Sequence, residues 1–207
     1  HYLAGIEPRD IKNTYYKKKY ITLFTKKNNE GFSKLFFNVH RIFIESAIKY
    51  KNINFFIKPR INEVWWIEKI EEVILNVTGK KVNQIDNLFI TNKPATDLIN
   101  SSINVIGFNS TVLIEAIAMG LKPILPIFDE AGSNKSKHVF FKKYLNNFYV
   151  AKSYKKFHNL IGLCVKKTKD FSINKSQSKK FLRRYIKYDN CSATSNTIKK
   201  IKMMSSV

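Results

Sequence analysis

The sequence predicts an α/β protein built on one parallel, doubly wound sheet with helices on both faces. Three observations lead there. Short runs rich in β-branched and aromatic residues alternate along the chain with longer stretches of helical apolar spacing, the order that a parallel sheet with crossover helices requires. The stretch Ile103–Phe128, INVIGFNSTVLIEAIAMGLKPILPIF, reads as strand, turn, helix, turn, strand. With 207 residues and 44% hydrophobic content, the chain can bury one sizeable core.

Residues 1–19 are polar and tyrosine-rich and read as a lead-in or interdomain linker; the main domain is expected over 20–170 and basic helices over 171–207. Tyr20–Thr25 is a first strand and Lys26–Gly31 its turn. From Ser33 to Tyr50, Leu35, Phe36, Val39, Ile42, Phe43 and Ala47 recur at helical spacing. His40 lies within this helix, far from any other ligating group, and is expected to be structural. Ile53–Ile57 is a second strand. Glu63–Val77 is a helix with Val64, Ile67, Ile70, Val73 and Ile74 on its apolar face, closed by Gly79. Trp65 and Trp66 are expected to pack, because no basic and aromatic residues interleave with them as a nucleic-acid surface requires. Leu88–Thr91 is a third strand and Pro94–Asn100 a short helix with Thr96 as its cap. Phe148–Ala151 is a last strand, Ser153–Val165 a helix capped by Ser153, and Asn174–Lys187 and Ala193–Met203 basic helices that pack back on the domain or across a junction.

The candidate site falls in the central stretch. Asn109, Ser110 and Thr111 form a polar corner at the start of a helix, where side-chain oxygens cap free N–H groups and the same N–H groups can receive phosphate oxygens. Gly120 suits the left-handed position just past the helix end. Every side chain from Val112 to Met119 is apolar except Glu115, so the helix is expected to be buried on most sides and the carboxylate to need a partner. It stands roughly 6 Å further along the axis, within reach of the ribose of a nucleotide whose phosphates meet the turn. Lys58 and Arg60 flank Pro59 at the carboxyl end of the second strand, the edge where open α/β sheets bind ligands. Asp129 and Glu130, in a loop expected over Asp129–Ser136 with His138 just beyond, are candidates for touching a sugar.

The run GFNSTVLIEAIAMGLKPIL resembles the donor-binding segment of GT-B glycosyltransferases, above all the bacterial enzymes that build surface and capsular polysaccharide. Less closely it is similar to the matching segment of nucleotide-sugar 2-epimerases. The resemblance is sharp over this stretch and diffuse elsewhere. It implies a Rossmann-like domain, the C-terminal donor-binding half of a GT-B fold, that transfers a sugar or polyol phosphate from a nucleotide-activated donor to a glycan or lipid-linked acceptor. The facing acceptor domain would then be missing from this chain, which begins with His1, and the general base with it; by itself the chain is expected to be inactive. Where relatives carry Lys-Pro-His-Pro, this chain has Lys58-Pro59-Arg60-Ile61, which keeps phosphate binding and loses a proton-exchanging histidine.

Composition narrows the alternatives. The net charge is +22, and over Lys152–Lys202 fifteen Lys and Arg stand against Asp170 and Asp189. Such a surplus suits an anionic membrane surface or phosphorylated partners. Nucleic acid is not the expected partner, because charge alone speaks for it; a scaffolding domain is a further alternative, as is an epimerase, for which four scattered histidines offer thin support. No apolar run reaches the roughly 20 residues of a membrane span and no signal-peptide order opens the chain, so a cytoplasmic protein, peripheral at the inner membrane face, is expected. Cys164 and Cys191 form neither a metal spacing nor a disulfide framework. There is no GxxxxGK[ST] loop, GxGxxG fingerprint, Gly-x-Ser-x-Gly elbow or Asp-x-Asp pair. A metal-independent enzyme without a cofactor, its substrate a nucleotide sugar, is the consistent expectation.

Overall fold

The computed structural model describes residues 20–25, 31–60, 64–133, 136–166, 169–173 and 175–186. Its centre is a parallel sheet whose six strands are β1 (Tyr20–Phe24), β2 (Asn54–Lys58), β3 (Leu88–Ile90), β4 (Ser102–Gly107), β5 (Ile124–Pro126) and β6 (Tyr149–Ala151). They lie in the order β3-β2-β1-β4-β5-β6. The chain winds outward from β1 to β3, returns to the other side of β1, and winds outward again. This is the doubly wound, Rossmann-like order, with its reversal between β1 and β4.

The strands alternate between two cores because successive side chains point to opposite faces. Ile21, Leu23, Phe55 and Ile57 enter one core, where they meet α1 (Ser33–Lys49), α2 (Val64–Thr78) and α6 (Tyr154–Val165). Tyr20, Phe24, Phe56 and Val105 enter the other, with α3 (Ala95–Ser101), α4 (Val112–Ala118) and α7 (Lys175–Ile186). A strand covered on both faces has few polar positions; Thr22 of β1 and Ser102 of β4 join their hydroxyls at 2.7 Å. Asn87, buried just before β3, donates to the carbonyls of Ala47, Tyr50 and Ile53 and so ties the end of α1 to the start of β2.

Three helix ends follow the expected punctuation. Gly79 and Gly120 take positive φ of 67° and 88° behind α2 and α4. Ser153 caps α6, its Oγ accepting the Lys156 N–H at 3.2 Å. Three expectations are corrected. Thr96 is not a cap; α3 begins after Pro94 with no side-chain cap bond. The expected loop Asp129–Ser136 opens with a helical turn, α5 (Asp129–Gly132), held by bonds from Ala131 and Gly132 to the Phe128 carbonyl. The central helix α4 is only seven residues long and buries Leu113, Ile114, Ala116 and Ile117 while exposing Ala118 and Met119. The lead-in 1–19, the turn 26–30, the Trp65 and Trp66 side chains and the helix expected over Ala193–Met203 lie outside the described residues. Among those described, no helix is long and apolar enough to cross a membrane.

Candidate functional site

A cleft of about 390 Å³ opens at the carboxyl ends of β1 to β4, over the point where the strand order reverses. β1 contributes Phe24 and Thr25, β2 Lys58, Pro59 and Arg60, and β3 leads to Lys93 and Pro94. Asn109, Ser110, Thr111 and Val112 follow β4, and Phe140 closes the remaining side. The lining holds three cationic side chains and no carboxylate.

Lys58 is the unusual member. It is only 7% exposed, and its ammonium donates to the Pro59 carbonyl at 3.2 Å. Among the described residues it has no acidic partner, and burial pushes its pKa below the usual lysine value. A buried cation without a counter-charge is a standing electrostatic cost, which an anion entering the cleft would offset. Arg60 is exposed beside it. Lys93, which carries no local signal of its role, joins them because β3 runs parallel to β2 and leads, three residues past its end, to a second Lys-Pro dipeptide, Lys93-Pro94.

The corner after β4 is shaped by close packing. A Cβ on Gly107 would meet the Leu113 side chain at 3.1 Å, so glycine lets α4 come down onto the strand. Asn109 takes a left-handed φ of 48° and is buried. Its side chain does not cap α4: Nδ2 donates to the His138 carbonyl at 2.8 Å and Oδ1 accepts the Phe140 N–H at 3.0 Å. Asn109 therefore braces the cleft wall. Ser110 and Thr111 line the cleft as expected, but neither makes the expected cap; Thr111 is already helical and no side-chain cap bond is formed. The amides that open α4 thus remain oriented by backbone geometry, with Leu113 N bonded to Ser110 O and Ile114 N to Thr111 O.

Glu115 departs most from expectation. It is exposed, not buried, and lies outside the cleft lining, so no buried partner is required. The seven-residue helix presents one edge to solvent, and the glutamate sits on that edge with Ala118 and Met119.

Asp129 and Glu130 are engaged elsewhere. Glu130 places both carboxylate oxygens on the start of α1, accepting Lys34 N–H and Leu35 N–H at 2.9 Å each. Partial burial pushes its carboxyl up, but the N–H groups of Lys34, Glu130 and Leu35, with the Lys34 charge, outweigh that and hold it below the ordinary range. Asp129 accepts from Asn38 Nδ2 at 3.0 Å and from the Tyr154 hydroxyl, a bond that raises the Tyr154 pKa. These carboxylates join α5 to α1 and α6 and lie outside the lining of the cleft. His40 is structural as expected: buried, with Nδ1 donating to Phe36 O at 2.8 Å and its pKa lowered by burial to about 4. Among the described residues no three His, Cys, Asp or Glu side chains converge as a metal site.

No family model and no curated protein matches the sequence. Among solved structures the chain is similar to a UDP-GlcNAc 2-epimerase from Neisseria meningitidis bound to UDP-GlcNAc, at 14% identity and a TM-score of 0.49, over 82% of this chain and 45% of that one. It is also similar to a UDP-forming α,α-trehalose-phosphate synthase from Burkholderia xenovorans, at 12% identity and a TM-score of 0.47, over 76% of this chain and 38% of that one. The chain spans less than half the length of either. Its own strand order and switch-point cleft establish what it is at the level of fold: a Rossmann-like α/β domain with a parallel six-stranded sheet.

Proposed function

We propose that the cleft holds the phosphates of a nucleotide-activated sugar, and that the chain is the donor-binding half of a metal-independent glycosyltransferase of GT-B type acting on a surface-glycan acceptor. The observation that carries this reading is Lys58, a buried lysine in a switch-point cleft that has no acidic partner among the described residues. Lys58, Arg60 and Lys93 would stabilise charge as it develops on the leaving nucleotide, the service a metal ion provides in other transferases. The Ser110 and Thr111 hydroxyls, which line the cleft, would complete the phosphate cradle. Glu115, exposed one turn along, would meet the ribose hydroxyls from the solvent side of the helix. The acceptor's general base would come from outside this chain.

A 2-epimerase would share both fold and nucleotide cleft, but it needs acid and base groups at the sugar. The cleft lining offers cations, hydroxyls, an amide and apolar groups instead. Calorimetry with UDP, CMP and GDP sugars tests the proposal: one base should be preferred, with weak affinity and no transfer by this chain alone. Failure of all three to bind would refute the nucleotide cleft, and robust transfer by the isolated chain would refute the division of labour between two domains.

A further inference from the structure

A second cavity, of about 500 Å³, lies on the other side of Phe140, where α7 meets the segment from Lys137 to Tyr144. Lys137, Lys142, Lys143 and Arg184 line it, and no carboxylate does. Among the described residues none of these four cations forms an ion pair. Like charges gathered without compensation repel one another, so something else must hold them together. An aromatic floor does so. The Tyr185 ring lies 4.8 Å from Phe181, 5.4 Å from Phe141 and 5.9 Å from Tyr144, and its hydroxyl donates to the Phe140 carbonyl at 3.4 Å. Phe141 and Phe181 are buried, which anchors both walls of the cavity to the core.

We infer that this cavity receives the phosphate or diphosphate group of a second ligand, distinct from the nucleotide phosphates in the cleft. Four cations around one concavity match a multiply charged phosphate better than a single carboxylate. Phe140, 56% exposed, lines the same cavity and offers apolar surface to whatever carries the phosphate. The carrier is either an anionic lipid headgroup or a soluble phosphorylated molecule; both present the same phosphoryl oxygens. Phe140 lines both cavities, so the second ligand would sit one side chain from the cleft. That is the place of a phosphorylated acceptor, a point that rests on the donor reading above; the phosphate site itself does not.

The test titrates inorganic pyrophosphate by calorimetry, and sediments the protein with phosphatidylcholine vesicles lacking or containing phosphatidylglycerol. It compares Lys58→Met, which weakens the cleft, with the same chain also carrying Lys142→Ala, Lys143→Ala and Arg184→Ala, all at exposed positions. A control variant in the same background instead carries Lys152→Ala, Lys155→Ala and Lys156→Ala, removing equal charge from the exposed start of α6. The cavity variant should lose binding at least tenfold in one arm while the control stays within twofold of its parent. Loss in the pyrophosphate arm identifies a soluble phosphate, and loss in the phosphatidylglycerol arm alone identifies a headgroup. Binding unchanged in both arms, or lowered equally by the control, would overturn the inference. Nucleotide binding by the cavity variant with Lys58 restored reports separately on the cleft.

Discussion

The Asn109 side chain spans the gap from the end of β4 to the Phe140 backbone, its Oδ1 accepting the Phe140 N–H while its Nδ2 donates to the His138 carbonyl. One buried amide thereby fixes the wall shared by the two cavities. Asn109→Ala removes both bonds, strands two backbone groups and places a non-glycine residue without local polar support at φ 48°. It should lower stability by about 2–3 kcal/mol and weaken nucleotide binding. Asn109→Gly tolerates the backbone angle but still loses the bonds, so it should recover only part of the stability in thermal melts and little of the affinity. Full recovery by glycine would mean that the angle, not the brace, matters.

Lys58→Met should separate folding from binding. Removing a buried ammonium that has no acidic partner among the described residues should raise the melting temperature, because the folded state no longer carries an uncompensated charge. Nucleotide affinity should fall by about 1.5–3 kcal/mol, the range for a hydrogen bond to a charged group. A variant that melts higher and still binds as wild type would remove Lys58 from the site.

Glu130 should make α1 acid-sensitive. Its folded pKa is lowered, so its stabilising contribution is present above the unfolded glutamate value of about 4.3 and is lost as pH falls through the lower folded value. Glu130→Ala should cost about 1–2 kcal/mol at pH 7, the range for a lost helix cap. Melting curves of the two proteins should begin to converge as pH drops below about 4; a gap that stays constant however far the pH is lowered would show that packing, not the carboxylate, is responsible.

His40 acts in a higher window. The unfolded chain takes up its proton near pH 6.5, whereas burial holds the folded imidazole neutral until about 4. Stability is therefore greatest above pH 6.5 and falls between there and pH 4, by on the order of 3 kcal/mol for such a shift. Nε2 has no hydrogen-bond partner, so His40→Leu removes both an orphaned nitrogen and the titration. Its denaturant midpoint should stay flat between pH 6.5 and 4 where that of the wild type declines, and equal slopes would refute the assignment.

Several features were legible because they depend on neighbours in the chain. The alternation of strand and helix signals, the helix end at Gly79, the left-handed Gly120, the Ser153 cap and the structural role of His40 all follow from local spacing. Lys58, Arg60, Ser110 and Thr111 were legible as cleft residues because strand ends in a parallel sheet share one edge. Lys93 went unseen although it repeats the Lys-Pro exit of β2. Nothing local says that β3 lies next to β2 and ends at the same level.

The sequence by itself determined the elements, their order and the edge at which a ligand could bind, since hydrophobic periodicity and turn chemistry are short-range properties. Only the tertiary structure decided what each polar side chain does there. Asn109, Ser110 and Thr111 look alike as caps, yet Asn109 is drawn off by a loop 29 residues away while the two hydroxyls are left to the cleft. Glu130 looks like a free loop carboxylate until α1, 96 residues earlier, presents its unpaired N–H groups to it. Glu115 looks buried because its neighbours are apolar, but α4 is a short helix that turns one edge to water. Hydrogen-bond partners and burial are set by which surfaces the fold brings together, and that information is spread over the whole chain.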